Sequence, residues 1–205
     1  MRWGISATDG ELPRGLEVLE VAVGAEIPED AHGLNALSAG FWFVAAREQA
    51  EQDERVSLLL EHCERSRAAA CVISVPPSLH SREGAPATLA RLVARFKRDG
   101  SCPVYFDFGR AGPPRWADPA LAVTDPLWPL EQPSACGSGP ELFGRYWKIH
   151  GWHPDRWVRR YASEQLGRLI ELARAHQPEF VILAHSSRVE QWRELASLLR
   201  LRPKP

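Results

Sequence analysis

The sequence predicts a compact TIM-type (β/α)8 barrel, an α/β fold that forms a single domain over residues 1–205. Eight short apolar runs have the composition of strands, and helical patterns lie between several of them. Strands that alternate with helices favour a parallel sheet, and eight such units favour a closed barrel. The usual length of this barrel is ~250 residues, so we expect some of its connecting helices to be missing.

The eight strand candidates are rich in Val, Ile, Phe or Trp and are bounded by Gly, Pro or Asp. They cover residues 3–6, 16–23, 41–45, 70–75, 103–108, 121–124, 145–150 and 180–184. Few residues separate the first strand from the second, or the fifth strand from the sixth. Segments 8–15 and 111–120 are therefore predicted to hold no full helix.

Four segments carry apolar residues at the spacing of one helix face. These stripes run over residues 56–63, 89–96, 158–173 and 189–199. Segment 126–140 is different, because it holds four prolines and two glycines and follows the sixth strand. A loop of this length is either a lid over a site or a tolerated insertion, and both interpretations stay open.

The composition excludes several classes of protein. Hydrophobic residues are 44% and charged residues 25% of the chain, which excludes bulk disorder. Lys and Arg number 25 against 26 Asp and Glu, and this balance disfavours binding to nucleic acid by neutralising its phosphates. No apolar stretch approaches the ~18 residues of a membrane span, and the N-terminus has no signal-peptide pattern. We therefore expect a cytoplasmic protein without a membrane partner.

The four cysteines, at positions 63, 71, 102 and 136, show no C-x-x-C spacing. This pattern offers neither a zinc knuckle nor a dithiol redox motif. We expect reduced thiols, with Cys63 on a helix face and Cys71 and Cys102 at strands.

The predicted seventh strand carries the most informative polar residues. Lys148 and His150 share one face of this alternating segment, and Trp147 and Ile149 share the other. Because the bulky apolar face of a barrel strand packs against the outer helices, Lys148 and His150 are predicted to point inward. They are interpreted as a catalytic or anion-binding pair, or alternatively as members of a structural ion pair that fills the barrel.

Acidic residues lie on three other predicted strands. Asp107 ends the fifth strand, where it would be a counter-charge to Lys148, a general base or a metal ligand. Asp125 ends the sixth strand as a ligand or base, or alternatively begins a turn before Pro126. Glu20 alternates with apolar residues on the second strand, so it also has the position of an inward side chain, or alternatively forms a salt bridge to an arginine outside.

Two further residues are assigned with Glu20 to ligand binding. His185 follows the eighth strand, although a histidine there is also common as a hydrogen-bonded structural residue. Arg110 follows the fifth strand. The chain contains no P-loop, dinucleotide-binding, hydrolase-elbow or H-E-x-x-H motif. The cofactor is unknown and a divalent metal stays open, since these acids and histidines are ligand types that suit Mg, Mn or Zn.

Several strand segments together resemble the YecE-like family, domain of unknown function 72. The most specific piece is YWKIHG at residues 146–151, which is similar to the family's YVRLHG. Residues 3–6, 19–21, 40–44, 104–109, 122–125 and 180–186 also resemble strands of that family. The resemblance implies a divergent, shortened TIM-type barrel that keeps Glu20, an acid at Asp107, Asp125, a base at Lys148, and His150-Gly151.

The sequence departs from the family pattern after four strands. The aromatic cluster expected after the first strand is replaced by ATDG at residues 7–10, and the Asn and FYR after the second by AVGA at residues 22–25. The Arg-His after the fifth strand becomes Gly109-Arg110, and the paired Asn after the eighth becomes His185-Ser186. A shared activity therefore does not follow from the resemblance alone.

The leading prediction is a protein that binds a small anionic or polyhydroxylated ligand at the C-terminal face of the barrel. Lys148 would hold an anionic group, and His150 would transfer a proton. Asp107 and Asp125 would orient these residues or hold a divalent ion.

The alternative prediction is a non-catalytic scaffold or protein-interaction module. In it, Glu20, Asp107 and Lys148 form a buried ion network that only fills the barrel. The chain also has eight Trp residues, and an exposed cluster of them would suit a protein partner. The candidates for such a cluster are Trp116, Trp128 and Trp152.

Overall fold

A computed structural model describes residues 1–7, 13–23, 25, 35–40, 49–79, 82–109, 112–127, 144–151 and 160–201. Within these ranges, eight strands form one sheet. The strands are β1 Arg2–Ser6, β2 Val18–Ala22, β3 Asn35–Gly40, β4 Ala70–Ser74, β5 Val104–Asp107, β6 Val123–Thr124, β7 Tyr146–Ile149 and β8 Phe180–Leu183. The described α-helices are α1 Gln49–Arg65, α2 Ala85–Asp99, α3 Ser163–His176 and α4 Arg188–Leu201.

The strand order is β5-β4-β3-β2-β1-β8-β7-β6. The pairs β1–β8, β3–β4, β4–β5 and β7–β8 are parallel. A further parallel bridge joins Phe106 of β5 to Ala122, the residue before β6, so the two ends of the order meet. An order in which each strand lies beside its neighbours in sequence is that of a TIM-type (β/α)8 barrel. The predicted fold class is confirmed.

Seven of the eight strands overlap their predicted ranges, and β3 is the exception. It covers Asn35–Gly40, ahead of the predicted range 41–45, which lies outside the described residues. Its sequence, NALSAG, is made mostly of small residues, whereas the next five residues are strongly apolar. The prediction followed the bulky side chains of residues 41–45, whereas the strand itself is built mostly of small residues.

The predicted stripes over residues 56–63, 89–96 and 189–199 lie within α1, α2 and α4. The stripe over residues 158–173 begins too early, because α3 starts at Ser163 and residues 158 and 159 lie outside the described residues. In α2, Leu89, Leu92 and Phe96 are buried, as one apolar face requires. Between β5 and β6, described residues 112–121 contain only one short 3-10 turn, Pro119–Leu121. Asp118 caps this turn by accepting a hydrogen bond from the Ala120 N–H at 2.9 Å. The prediction of no full helix in this connection is confirmed for these residues.

The helix-free connection leaves a cavity of about 290 Å3 against α2. Trp116, half-buried, lies beside it with its ring edge-on to Phe108 and the centroids 6.0 Å apart. Trp116 is thus packed against the core, while Trp128 and Trp152 lie outside the described residues.

The chain divides into two compact units. The first unit comprises Met1–Leu19 and Thr124–Pro205, and the second comprises Glu20–Val123. The single-domain assignment stays a prediction. No helix in the described part of the chain is long and apolar enough to cross a membrane.

Three thiols lie in the core of the second unit. Cys63 of α1, Cys71 of β4 and Cys102 are free and buried, while Cys136 lies outside the described residues. A hydrogen bond with Cys63 and burial both raise the pKa of the Cys102 thiol, which therefore stays protonated. A protonated, buried thiol is a poor nucleophile, so these residues act as core side chains. The expectation of reduced thiols is confirmed for these three.

In the first unit, ring contacts settle which way the side chains of β7 point. The Trp147 indole lies 6.2 Å from the ring of His176 in α3, and its N–H donates to the Gly144 carbonyl at 2.8 Å. Tyr146 instead lies 5.3 Å from Phe180, its register partner on β8. Because side chains alternate along a strand, Lys148 shares the face of Tyr146, opposite the helix layer. The predicted alternation is confirmed.

Strand β1 approaches the start of β2 at a position that only glycine fits. A Cβ atom on Gly4 would collide with the carbonyl group of Val18. The backbone N–H of Trp3 also donates to the Glu17 carboxylate at 2.9 Å. These contacts hold the two chain segments in one register within the first unit.

Candidate functional site

The centre of the candidate site is the carboxylate of Asp125, directly after β6. Its Oδ2 accepts a hydrogen bond from the backbone N–H of His150 at 3.0 Å. Its Oδ1 accepts from the backbone N–H of Leu127 at 3.1 Å, which closes a turn over Pro126. One side chain therefore shapes its own turn and ties the end of β6 to the end of β7.

Of the two predicted bases, Lys148 lies in β7 and His150 directly follows that strand. Lys148 is 9% exposed, and His150 is half-buried just after the last residue of the strand. Gly151 follows with a φ of 74°, a left-handed conformation that glycine adopts without strain. Lys148 lies on the strand face of Tyr146, and the Asp125 bond fixes the backbone of His150.

Thr124, the last residue of β6, is a polar residue that the sequence patterns did not single out. Its Oγ1 is buried and has no hydrogen-bond partner among the described residues. A buried hydroxyl adjacent to Asp125 offers one donor and two acceptor positions. The signal was present in the sequence as a hydroxyl residue directly before the strand-end acid.

His185 lies in a different environment. It is buried, and its ring meets the ring of Tyr161 edge-on with the centroids 5.5 Å apart. The side chain of Gln191 on α4 accepts from the Tyr161 N–H and donates to the Tyr161 carbonyl, both at 2.7 Å. The structure thus places His185 against a segment held by the helix layer, and its role in binding stays a prediction.

Gln191 is a second residue that the sequence patterns did not single out. It is fully buried, and its two bonds join residues 30 positions apart. The only local signal was an amide within the apolar stripe of a helix, beside Trp192.

The remaining predicted site residues belong to the second unit or lie outside the described residues. Asp107 is buried, and its Oδ1 accepts from the Gly109 N–H at 2.9 Å. Glu20 is buried within β2. Arg110 lies outside the described residues. The predicted pairing of Asp107 with Lys148 would join the two units, and it stays a prediction.

The described residues contain no group of three or more His, Cys, Asp or Glu side chains that could hold a metal ion. The finding covers only the described residues, so the binding of a divalent metal stays an open prediction.

Comparison with known proteins adds little to this geometry. No protein-family model and no curated protein matches the chain. A similar solved structure is the crystal structure of a xylose isomerase domain protein from Planctomyces limnophilus. It shares 14% identity at a TM-score of 0.49, over 98% of this chain and 96% of that chain. The fold assignment rests on the strand order instead, and the candidate site rests on its hydrogen bonds.

Proposed function

We propose that the chain binds a small anionic or polyhydroxylated ligand at the carboxyl ends of β6 and β7. The observation that carries this proposal is the 3.0 Å bond from the His150 N–H to Asp125, with Lys148 two residues earlier. In TIM-type barrels, the carboxyl ends of the strands build the functional site. The YWKIHG segment that resembles the YecE-like family covers the same strand, and we propose membership of that family.

Lys148 supplies the positive charge of the proposed site. Its side chain is almost fully shielded from water on the strand face opposite Trp147. An ammonium in such a place attracts an anion more strongly than one in bulk water, because the local dielectric is lower. A phosphate or carboxylate group on the ligand fits this position.

His150 and its neighbours supply the polar groups for the rest of the ligand. Imidazole exchanges a proton near neutral pH, which suits it for general acid–base catalysis. The Asp125 carboxylate is a hydrogen-bond acceptor, and the preceding residue, Thr124, has a buried hydroxyl that can donate or accept. Together these groups suit a ligand that carries hydroxyls as well as a negative charge.

A thermal-shift series tests the proposal in the full-length protein. The probes are Mg2+, Mn2+, inorganic phosphate and a set of sugar phosphates, each with wild type, His150→Ala and Lys148→Met. A ligand at about one hundred times its Kd adds about 2.7 kcal/mol of stability, or about 5–10 °C in Tm for a chain of this length. We expect a shift in wild type that both variants lose.

The matched control is His62→Ala, which removes a half-buried histidine from α1 in the second unit. It should keep the full ligand shift. Equal shifts in wild type, His150→Ala and Lys148→Met would contradict the proposal, because the ligand would then bind elsewhere.

A non-catalytic scaffold is the second candidate function, and one observation favours it. The bonds described above for Asp107 and Asp125 go to backbone N–H groups, as expected of residues that shape turns. On this alternative, the geometry serves only the fold, and a protein rather than a small molecule is the partner. The absence of any shift in the thermal series, with all variants folded, would favour it.

A further inference from the structure

A pocket of about 410 Å3 in the first unit is surrounded by three arginines. It lies between Arg14, in the chain segment before β2, and one face of α4. Arg193 and Arg200 of that helix line the pocket with Arg14, and all three arginines are exposed. The site proposed at β6 and β7 uses none of these residues.

The spacing along α4 explains why this face is concave. Arg193 and Arg200 are seven residues apart, which places them on the same side of the helix and ~10 Å apart along its axis. Ala196 and Ser197 lie between them on that side and have small side chains. The two arginines therefore form walls, and the small residues form the floor.

The third wall is fixed by a buried aromatic residue. Trp192 is 2% exposed, and its indole N–H donates to the backbone carbonyl of Arg14 at 3.2 Å. This bond anchors the Arg14 backbone against α4 although the two residues are 178 positions apart. The arginines thus converge from two separate chain segments.

The described residues that line the pocket include no carboxylate. Two acids on these segments bind other groups. Glu194 binds Arg160 at 3.2 Å and accepts a hydrogen bond from Ser163, while Glu17 accepts from the Trp3 N–H. Three guanidinium groups around one concave surface therefore produce a local positive potential in a chain whose net charge is -1.

We propose that this pocket binds a small ligand with two or more phosphoryl groups. A guanidinium presents a planar fork that matches phosphate oxygens, so several arginines can grip adjoining phosphoryl groups at once. The Ser197 hydroxyl on the floor offers a further donor. The pocket is a single short concavity, which fits a small molecule better than the extended track that a nucleic-acid strand requires.

Isothermal titration calorimetry with pyrophosphate and with inorganic phosphate tests the proposal. We expect pyrophosphate to bind about tenfold or more tightly than phosphate, because it engages more guanidinium groups. Arg193→Ala and Arg200→Ala should each weaken pyrophosphate binding by about tenfold, and Arg193→Lys should weaken it less because it keeps the charge. Ser197→Asp should abolish binding by placing a negative charge on the floor.

The matched control is Arg168→Ala, which removes an exposed arginine from α3. This variant and His150→Ala should bind pyrophosphate as wild type does, which separates the pocket from the site at β6 and β7. Arg168, Arg193 and Arg200 are all exposed, so we expect these variants to fold, and circular dichroism would test this.

Three results would overturn the proposal. The first is no pyrophosphate binding by folded wild type, and the second is equal binding by wild type and the Arg193 and Arg200 variants. The third is a single-stranded RNA oligonucleotide that binds through the same arginines more tightly than pyrophosphate does, with a steep loss in salt. That outcome would assign the pocket to a polyanion instead.

Discussion

The ends of β5 and β6 use the same residue type in two different ways. Asp107 is the last residue of β5, and Asp125 directly follows β6. Each carboxylate accepts a hydrogen bond from the backbone N–H two residues later, at 2.9 Å for Asp107 and 3.1 Å for Asp125. In Asp107, this described bond shapes a local turn at Gly109, whose φ is 62°. In Asp125, the second oxygen also reaches the N–H of His150, 25 residues later.

The difference shows how a turn residue can also position a second segment of the chain. A hydrogen bond between a carboxylate and its own turn fixes the direction of the chain at one point. A carboxylate that also binds the next strand sets the position of a residue it does not adjoin. Substitutions at several carboxylates test whether this longer reach, rather than the residue type, gives Asp125 its importance.

The largest effect is expected for Asp125→Ala. The substitution removes two hydrogen bonds to a charged acceptor, so we expect a loss of about 3 kcal/mol in the free energy of unfolding. The loss of the bond to His150 should also abolish the ligand shift described above. Urea unfolding followed by circular dichroism measures the first effect. A loss below about 1 kcal/mol would show that the bond to His150 contributes little.

A smaller effect is expected for Asp107→Ala, about 1.5 kcal/mol for the loss of the hydrogen bond from the Gly109 N–H. Asp118→Ala is a matched control, since Asp118 makes the same kind of bond to Ala120 but is exposed. We expect it to cost about 0.5 kcal/mol. The same urea experiment gives all three values, and an Asp107 effect equal to that of Asp125 would contradict the distinction.

A small effect is also expected for Glu194, which is half-buried and whose partner Arg160 is exposed. The Ser163 hydroxyl and the Arg160 guanidinium lower the pKa of this carboxyl below its usual 4.5. A carboxyl with a lowered folded-state pKa adds stability above its unfolded pKa, and this stability is lost as the pH falls through the folded value.

Glu194→Gln should therefore cost less than about 1 kcal/mol at pH 7, since exposed ion pairs are weak. The difference from wild type should shrink below pH 4.5 as the carboxyl protonates. Urea titrations at pH 7 and at progressively lower pH measure this trend. A constant difference across that range would show that the charge of Glu194 does not matter.

The sequence predicted the framework of the fold because strands and helices leave periodic patterns. The alternation around Lys148 followed from four consecutive residues, and the contact of Trp147 with His176 confirms it. The position of β3 was not predictable in the same way. Most side chains of Asn35–Gly40 are small and weakly apolar, whereas those of the next five residues are mostly large and strongly apolar.

The site was predicted less completely because its decisive contacts join distant positions. Asp125 was a candidate from its place after a strand, but nothing in the local sequence pairs its carboxylate with the His150 backbone. Likewise, the environment of His185 depends on Tyr161 and, through it, on Gln191. Such contacts form only when separate elements pack, and a local pattern does not encode them.

The helix-free connection between β5 and β6 also shows how little outer covering this strand pair requires. Elsewhere in the second unit, the 15 residues of α2 cover the sheet. In this connection, an irregular segment packs against the core instead. Its partly buried residues are Trp116, Ala117 and Leu121. A cavity of about 290 Å3 remains between this segment and α2. Among described residues 112–121, an irregular segment therefore covers the strands in place of a helix.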